Sequence, residues 1–201
     1  MSQVAIDHPI IDAAEGCFQR NGVRRTTVED VAVAAGVARV TVYRQIGGRG
    51  DLVRLVLLRT VDRHLERLAP RLIEKADLGE ALVELVMGTV GAARRDDLLL
   101  LYASEERGML GGPVPGMMDP LFERFGAVVE ELVSCMPGNL RSEVTSGEAG
   151  EWLLRVIISF LTIESSTTKS VEATYEMVGR LVMPALIESF PKTSCSSVKA
   201  L

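Results

Sequence analysis

Apolar residues recur at helical spacing along most of the chain, and the N-terminal part holds three such segments in succession. The first ends at Gly22, a residue type that commonly stops a helix, and predicts a helix over about residues 8–21. In "TTVEDVAVAAG", a threonine followed three residues later by an acid makes a capping box, which predicts a second helix over about 28–35. Beyond Gly36, a shorter third helix is predicted over about 38–45.

A helix, a tight turn at a glycine and a second short helix form a helix-turn-helix, whose second helix lies in the major groove of DNA. On the third predicted helix, Val42 faces the core and the other side chains face outward. They supply arginine for guanine, glutamine for adenine, methyl groups for thymine and a phenol hydroxyl for phosphate. The predicted DNA-binding residues are Arg25, Thr27, Arg39, Val40, Thr41, Tyr43, Arg44, Gln45 and Arg49.

The charge distribution favours a phosphate-binding surface in the same place. Residues 20–49 hold six arginines against two acids, a local charge of +4 in a chain whose net charge is −5. Arginine makes forked contacts to phosphates and guanine edges that lysine does not make. Two other interpretations stay open at this point: a solvated basic face, and a helical hairpin in a purely structural bundle.

The stretch "IIDAAEGCFQRNGVRRTTVEDVAVAAGVARVTVYRQIGGRGDLVRLVL", residues 10–57, resembles the N-terminal domain of the TetR/AcrR family of transcriptional regulators. The order and spacing of "AA…F…G", "TTVEDVAVAAGV" and "TVY" carry the resemblance, which covers about a quarter of the chain. It implies an all-α homodimer with a three-helix DNA-binding domain and a divergent ligand-binding domain that ends in a dimerising helix pair.

The third helix departs from the family pattern at several positions. Ala38 stands where the family usually has serine, so this helix loses its N-cap, at a cost on the order of 1 kcal/mol. Val40 replaces a small residue, and Gln45 and Ile46 stand where the family favours an aromatic residue or histidine and then phenylalanine. Arg49 matches the usual lysine and is expected to keep the phosphate contact. Val40 and Gln45 argue against carrying over an operator sequence from the family.

Longer helices are predicted beyond residue 51. Residues 51–75 form one amphipathic helix, which Pro70 is expected to kink or to break near residue 69 and which links the DNA-binding part to the rest. His64 lies among charged neighbours and is interpreted as a solvated surface residue. "LGEALVELVMGTVGAARR" is apolar nearly all round and predicts a buried helix, and "DDLLLLYASEERGML" predicts a helix begun by acids.

The next segment is predicted to border an effector pocket. "GGPVPGMMDP", residues 111–120, is predicted to be a loop because its glycines and prolines exclude regular helix. Flexible thioethers and aromatic rings near it suit an adaptable apolar pocket, next to a helix thinned by Gly88 and Gly91. The predicted effector-binding residues are Met87, Thr89, Tyr102, Glu105, Met117, Phe122, Trp152 and Phe160. Packing into the core is the alternative for each of them.

The C-terminal segments carry more apolar surface than a monomer needs. Along residues 147–168, a stripe containing Trp152 and Phe160 is predicted to face inward, and a second stripe to meet another subunit. A last helix over about 171–189, kinked by Pro184, offers a similar face. Together they predict a four-helix bundle across a two-fold axis. The predicted dimer-interface residues are Leu154, Ile158, Leu161, Tyr175, Val178 and Val182.

Composition narrows the function classes. A chain of 201 residues, 47% of them hydrophobic, can bury a sizeable core, and its apolar runs are too short to cross a bilayer. We therefore expect a soluble cytoplasmic protein with no membrane partner. Three widely separated cysteines predict neither a disulfide framework nor a metal site. Neither of the two histidines lies beside a candidate nucleophile, so no enzyme and no cofactor are predicted.

The sequence thus predicts an all-α chain with three parts: a helix-turn-helix DNA-binding domain at 1–50, a helical effector-binding and dimerisation domain at 51–190, and a disordered tail at 191–201. The predicted function is a repressor that binds a palindromic operator in double-stranded DNA as a homodimer and is released by a small, largely apolar effector. The alternative is a DNA-binding architectural or interaction protein that has no small-molecule effector.

Overall fold

The computed structural model describes residues 8–96, 99, 116–163 and 170–188. Its helices are α1 (Pro9–Asn21), α2 (Val28–Ala34), α3 (Arg39–Gln45), α4 (Arg49–Ile73), α5 (Leu78–Ala93), α6 (Met118–Cys135), α7 (Ser146–Thr162), α8 (Val171–Met177) and α9 (Met183–Leu186). A π-helical turn, Val178–Val182, joins α8 to α9. Within these ranges the sole β-type contact is an isolated bridge between Leu140 and Ile187, so the all-α prediction is confirmed.

Local hydrogen bonds set the ends of the short N-terminal helices. The Thr27 hydroxyl accepts from the Asp30 N–H at 3.2 Å, and the Asp30 carboxylate accepts from the Thr27 N–H at 2.8 Å. The bonds that this carboxylate accepts from the Thr27 N–H and hydroxyl hold the pKa of Asp30 below its usual value. The predicted capping box is therefore present. The bounds of α1, α2 and α3 agree with the predicted ones to within one residue.

Buried side chains form two hydrophobic cores that meet within α4. The N-terminal core packs α1, α2 and α3 against the first two turns of α4, up to Val56. The C-terminal core begins at Leu57 and packs the rest of α4 against α5 and the later helices. Because both cores share α4, a displacement of this helix acts on both of them.

α4 continues through Pro70 to Ile73, so the expected break near residue 69 is not found. Proline lacks the N–H that would bond to the carbonyl one turn back, but contacts with other helices stabilise the turn that contains it. Leu72 is buried in the C-terminal core, and Arg71 pairs with Glu84 of α5 at 2.5 Å. Packing against α5 therefore compensates for the missing hydrogen bond.

α5 is buried on most sides, as predicted, and lies close to α4. A Cβ atom on Gly88 would lie 2.7 Å from Leu68 Cδ1, so glycine permits this approach. His64 of α4 reaches the same contact, where its Nε2 lies 3.1 Å from the Thr89 hydroxyl. The prediction of a solvated His64 is wrong: burial, and then the neighbouring arginines, lower its pKa and favour the neutral imidazole.

α6 and α7 cross with their backbones in contact at two glycines. A Cβ atom on Gly150 would lie 2.6 Å from the Cα of Gly126, closer than real side chains come. α7 begins at a capping box made by Thr145 and Glu148. The sequence pattern gave no sign of this crossing point.

α7 faces the core with a different stripe from the predicted one. Leu153, Leu154 and Ile157 are buried, whereas Trp152 is 46% exposed. The inward orientation predicted for Trp152 is therefore wrong, and so is the outward orientation predicted for Leu154. Helical periodicity identifies the two stripes, but the Gly126–Gly150 crossing decides which of them packs against α6.

The C-terminal helical segment changes its winding just before Pro184. In the π-helical turn, the Met183 N–H donates to the Val178 carbonyl, five residues earlier. Pro184 cannot donate to the carbonyl four residues before it, and the wider turn gives its ring room. The kink predicted at this proline is therefore realised as a π-helical turn.

Parts of the C-terminal predictions fall on residues that the structure does not describe. Residues 111–115 of the predicted loop, the 191–201 tail and all but Asp96 and Leu99 of the helix predicted from "DDLLLLYASEERGML" lie outside the described residues. The end of the predicted loop is corrected, because α6 already begins at Met118 and accommodates Pro120 in its first turn. None of the described helices combines the length and apolarity that a bilayer span requires.

Candidate DNA-binding surface

The turn between α2 and α3 sets the angle at which α3 is presented. Gly36 adopts a φ of 66°, in the left-handed region that favours glycine. The Val37 N–H donates to the Ala32 carbonyl at 3.0 Å, and the Gly36 N–H donates to the Val33 carbonyl at 3.2 Å. Val37 also packs against the N-terminal core. Backbone bonds and one apolar anchor therefore define a rigid helix-turn-helix, as the sequence predicts.

α3 turns one side chain inward and nearly all the others to solvent. Val42 is fully buried, while Val40 is 70% exposed and Tyr43 is 46% exposed. Arg39, Arg44 and Gln45 are exposed as well, and Thr41 is partly buried. Ala38 makes no side-chain cap, as predicted from its departure from the family pattern. The structure thus brings the α3 residues of the predicted set onto one open surface.

Arg39 and Tyr43 lie one turn apart on this surface and interact with each other. An Arg39 nitrogen donates to the Tyr43 hydroxyl at 3.2 Å, and the guanidinium carbon lies 5.4 Å from the ring centroid. The phenol hydroxyl still carries its own proton for a phosphate oxygen. Each side chain limits the rotamers of the other, so the pair is arranged before any ligand arrives.

Arg49 does not extend freely from this surface. Its Nε donates to the Thr26 carbonyl at 3.1 Å, and its Nη2 donates to the Val23 carbonyl at 2.5 Å. These two bonds fasten the start of α4 to the turn that carries Arg24 and Arg25. Arg49 therefore has a second role, positioning the start of α4, which competes with its predicted phosphate contact. The sequence pattern alone did not reveal this role.

Two further predicted contacts lie near the start of α2. Thr27 is exposed, but its hydroxyl donates to the Asp30 carboxylate at 2.7 Å and also accepts a bond in the capping box. Arg25 is exposed in the preceding turn. Arg25 is therefore free to swing toward a phosphate, whereas Thr27 offers a phosphate little beyond what the cap already uses.

A buried arginine that the sequence analysis missed joins α1 to α4. The Arg59 guanidinium donates to the Asp12 carboxylate at 2.5 Å, to the Ile11 carbonyl at 3.1 Å and to the Glu15 carboxylate. Its side chain is 4% exposed. The one sequence signal was an arginine on the apolar face of a long helix. This network ties α1 to the helix that both cores share.

The predicted effector residues are distributed over different environments. Thr89 is buried and faces His64, Met117 is fully buried, and Met87, Phe122 and Phe160 are partly buried. Trp152 is largely exposed. Tyr102 and Glu105 lie outside the described residues. The role of this set in binding an effector stays a prediction.

The predicted dimer-interface residues also differ from one another in burial. Leu154, Val178 and Val182 are buried within the chain, so they serve the C-terminal core. Ile158, Leu161 and Tyr175 are partly buried. Large exposed apolar side chains also occur on or next to α7, α8 and the π-helical turn; they are Trp152, Ile163, Val171 and Leu181.

These features define a helix-turn-helix protein with a second, larger helical core. Residues 10–56 match the model of the bacterial regulatory proteins of the TetR family, the region of the N-terminal core. The transcriptional regulator TtgR of Pseudomonas putida is 39% identical over 72 residues, 35% of this chain and 34% of TtgR. The match therefore spans about a third of that relative's length. Over residues 10–56, the chain is therefore similar to the regulatory proteins of the TetR family.

Longer matches extend the similarity to the C-terminal core. An uncharacterized HTH-type regulator of Mycobacterium bovis is 27% identical over 168 residues, 81% of this chain and 80% of that protein. The repressor AlkX of Dietzia sp. superposes with a TM-score of 0.60 at 20% identity, covering 85% of this chain and 91% of AlkX. Thermus thermophilus FadR, in complex with lauroyl-CoA, superposes with a TM-score of 0.56 at 20% identity. The superposition covers 92% of this chain and 98% of that FadR. These structures share the fold.

Proposed function

We propose that the protein is a ligand-responsive transcriptional repressor that binds a palindromic operator as a homodimer. The observation that carries the proposal is the rigidly presented α3, with Val42 buried and arginine, glutamine, tyrosine and valine side chains directed to solvent. Such a helix fits the major groove, and its polar groups match base edges and phosphates. The local basic charge adds sequence-independent attraction to DNA.

A homodimer is supported by the apolar surface near the C-terminal end of the chain. Trp152, Val171 and Leu181 are each between 46% and 64% exposed, and subunit interfaces are built from exposed apolar side chains of this kind. We propose that this surface, extended by the partly buried Ile158 and Leu161, faces its own copy across a two-fold axis. Two α3 helices would then read two half-sites about one helical turn, or a multiple of it, apart.

The effector is proposed to be a small, largely apolar molecule held among α5, α6 and α7. Structural neighbours of this fold were captured with lauroyl-CoA and with stearoyl-CoA, which supports an apolar chain as one ligand class for the architecture. α4 would carry the signal, because the N-terminal and C-terminal cores share it and Arg59 ties it to α1. A tenfold loss of DNA affinity requires about 1.4 kcal/mol of coupling, felt reciprocally by the effector.

Selection of bound DNA from a random pool tests this function. The full chain is expected to enrich an inverted repeat, and light scattering of the complex is expected to show two chains, or four, per DNA. Enrichment of an asymmetric site by a single chain would contradict the dimeric operator. No enrichment despite tight DNA binding would instead favour the architectural alternative. A double variant, Arg44→Ala with Gln45→Ala, serves as the control, because it removes base contacts without touching the buried side of α3.

A further inference from the structure

A cleft of about 1080 Å³ opens between the N-terminal core and the α4–α5 pair. The end of α1 and the following turn form one wall, and α4 with the end of α5 forms the other. None of the predicted effector residues is among its described lining residues, although His64 at its wall contacts Thr89. The arginines that line it are Arg24, Arg25, Arg63, Arg67, Arg71 and Arg95. Glu15 and Asp96 are the two carboxylates among the described lining residues.

Some of this positive charge is neutralised within the protein and some is not. Arg63 pairs with Glu15 at 2.7 Å, and Arg71 pairs with Glu84 at 2.5 Å. Arg67 and Arg95 form no ion pair with the described residues. Glu15 is already bound by Arg59 as well. Among the described lining residues, cationic groups therefore outnumber the carboxylates that neutralise them, in a protein whose net charge is negative.

The floor of the cleft is formed by apolar residues, two of them small. Its partly exposed residues are Gly88 and Ala92, which lie over the buried side chains of Phe18, Val56 and Leu68. A Cβ atom on Gly88 would lie 2.7 Å from Leu68 Cδ1, so a larger residue there would disturb this floor. A volume of this size accommodates a molecule well beyond an inorganic ion. Cationic groups over an apolar floor match a ligand that has an acidic part and an apolar or aromatic part.

The pKa of His64 is affected by the positive charges at the cleft wall. Its pKa is lowered first by burial and then by Arg67, Arg71 and Arg95, while Asp96 acts in the opposite direction. The imidazole bonds to Thr89 and stays neutral, so it adds no further cation. Arginines brought together in this way repel one another, and an anionic group between them would relieve that repulsion.

We propose that this cleft binds an organic phosphate of about nucleotide size, with its phosphate groups on Arg67 and Arg95 and its apolar part against the floor at Gly88 and Ala92. Guanidinium groups bind phosphate oxygens through paired, charge-assisted hydrogen bonds. The wall opposite α4 carries Arg24 and Arg25, next to the candidate DNA-binding surface. A ligand that engages this wall lowers the affinity for DNA, and DNA lowers the affinity for the ligand by the same factor.

Calorimetric titration of the full chain with three probes tests the chemistry. Inorganic pyrophosphate presents the charge alone, adenosine presents the ring alone, and ATP presents both. The expected order of affinity is ATP, then pyrophosphate, with adenosine weakest. The double variant Arg67→Gln, Arg95→Gln is expected to weaken ATP binding by about tenfold or more, the effect of losing charge-assisted bonds. Its matched control, Arg141→Gln with Arg155→Gln, removes the same charge outside the cleft and is expected to leave the affinity unchanged.

Three results would overturn the proposal: no binding of ATP or pyrophosphate, equal loss in the cleft and control variants, or no loss in the cleft variant. DNA affinity, measured in parallel without probe, keeps this test separate from the proposed repressor function. If the cleft variant loses DNA affinity and the wild type binds no probe, the arginines serve the DNA backbone instead. Should the double variant unfold, each exposed arginine is replaced singly and judged by the same criteria.

Discussion

The two cores of the molecule are held in shape by different means. In the N-terminal core, helices of seven to thirteen residues are fixed by caps, a left-handed glycine and side chains that bond to backbone carbonyls. In the C-terminal core, which includes most of the 25-residue α4, the helices are fixed by the surfaces that they press together, above all at Gly126 and Gly150. The first arrangement presents a surface of constant shape. The second can shift when packing changes, which suits the response to a ligand.

The largest effect is expected where two backbones touch. Gly150→Ala places a methyl group against Gly126 and forces α6 and α7 apart, so we expect a loss of about 3 kcal/mol in the free energy of unfolding. Thermal and urea unfolding measure it. Gly147→Ala, in the same helix but with open space at its Cβ, is the control and should be neutral or slightly stabilising. Equal losses in both variants would show that the crossing is not a tight contact.

The second-largest loss in the free energy of unfolding is expected when the Arg59 network that joins α1 to α4 is broken. Arg59→Met removes the guanidinium that binds Asp12, Glu15 and the Ile11 carbonyl. We expect a loss of about 2 kcal/mol, below the cost typical of a broken buried pair, because Asp12 is exposed and Glu15 keeps Arg63. Arg63→Met, at the more exposed position, should cost less than about 1 kcal/mol. The reverse order would mean that the network does not hold α1 to α4.

How much the sequence could predict differs between the same two regions. Thr27, Asp30 and Gly36 act on their immediate neighbours in the chain, so the N-terminal helices, their turn and the inward Val42 followed from local pattern. The orientation of Trp152 and Leu154 depends on a partner helix far away in sequence, and periodicity does not contain that information.

The same limit applies to the candidate site. The exposed face of α3 could be predicted, because one helical turn decides it. The carbonyls bound by Arg49 and the acids bound by Arg59 could not, because these partners lie 23 to 47 residues away along the chain. His64 was misplaced for the same reason: charged neighbours in sequence indicate solvent, whereas its contact with α5 comes from the fold.

A charge-preserving substitution separates the two roles of Arg49. Arg49→Lys keeps a cation for phosphate but cannot bond to the Val23 and Thr26 carbonyls as a fork. We expect a loss of about 1.5 kcal/mol in stability, with Arg49→Ala costing a similar amount. Denaturant unfolding gives the stability, and DNA affinity against salt concentration counts phosphate contacts. Full stability with lysine, and a flatter salt dependence only with alanine, would restore the phosphate contact as the main role.

The smallest effect concerns the missing cap of α3. Ala38→Ser supplies a hydroxyl for the free N–H groups at the start of the helix and should stabilise the protein by about 0.5–1 kcal/mol. Ala34→Ser makes the same chemical change inside α2, where no cap is available, and should be neutral or slightly destabilising. A thermal melt of both variants decides the matter. Destabilisation by Ala38→Ser would mean that the start of α3 differs from the one described.

The most direct test of the account is a binding survey over all single-base changes of the selected DNA site, made with the wild type and with Gln45→Ala. If α3 reads bases, the variant loses its preference at one position in each half-site, by about 1–3 kcal/mol, and the two positions are related by the two-fold axis. Tyr43→Phe, as the control, weakens binding to every site nearly equally. A uniform loss with Gln45→Ala, or a change of preference with Tyr43→Phe alone, would contradict the assignment of α3 as the helix that reads the operator.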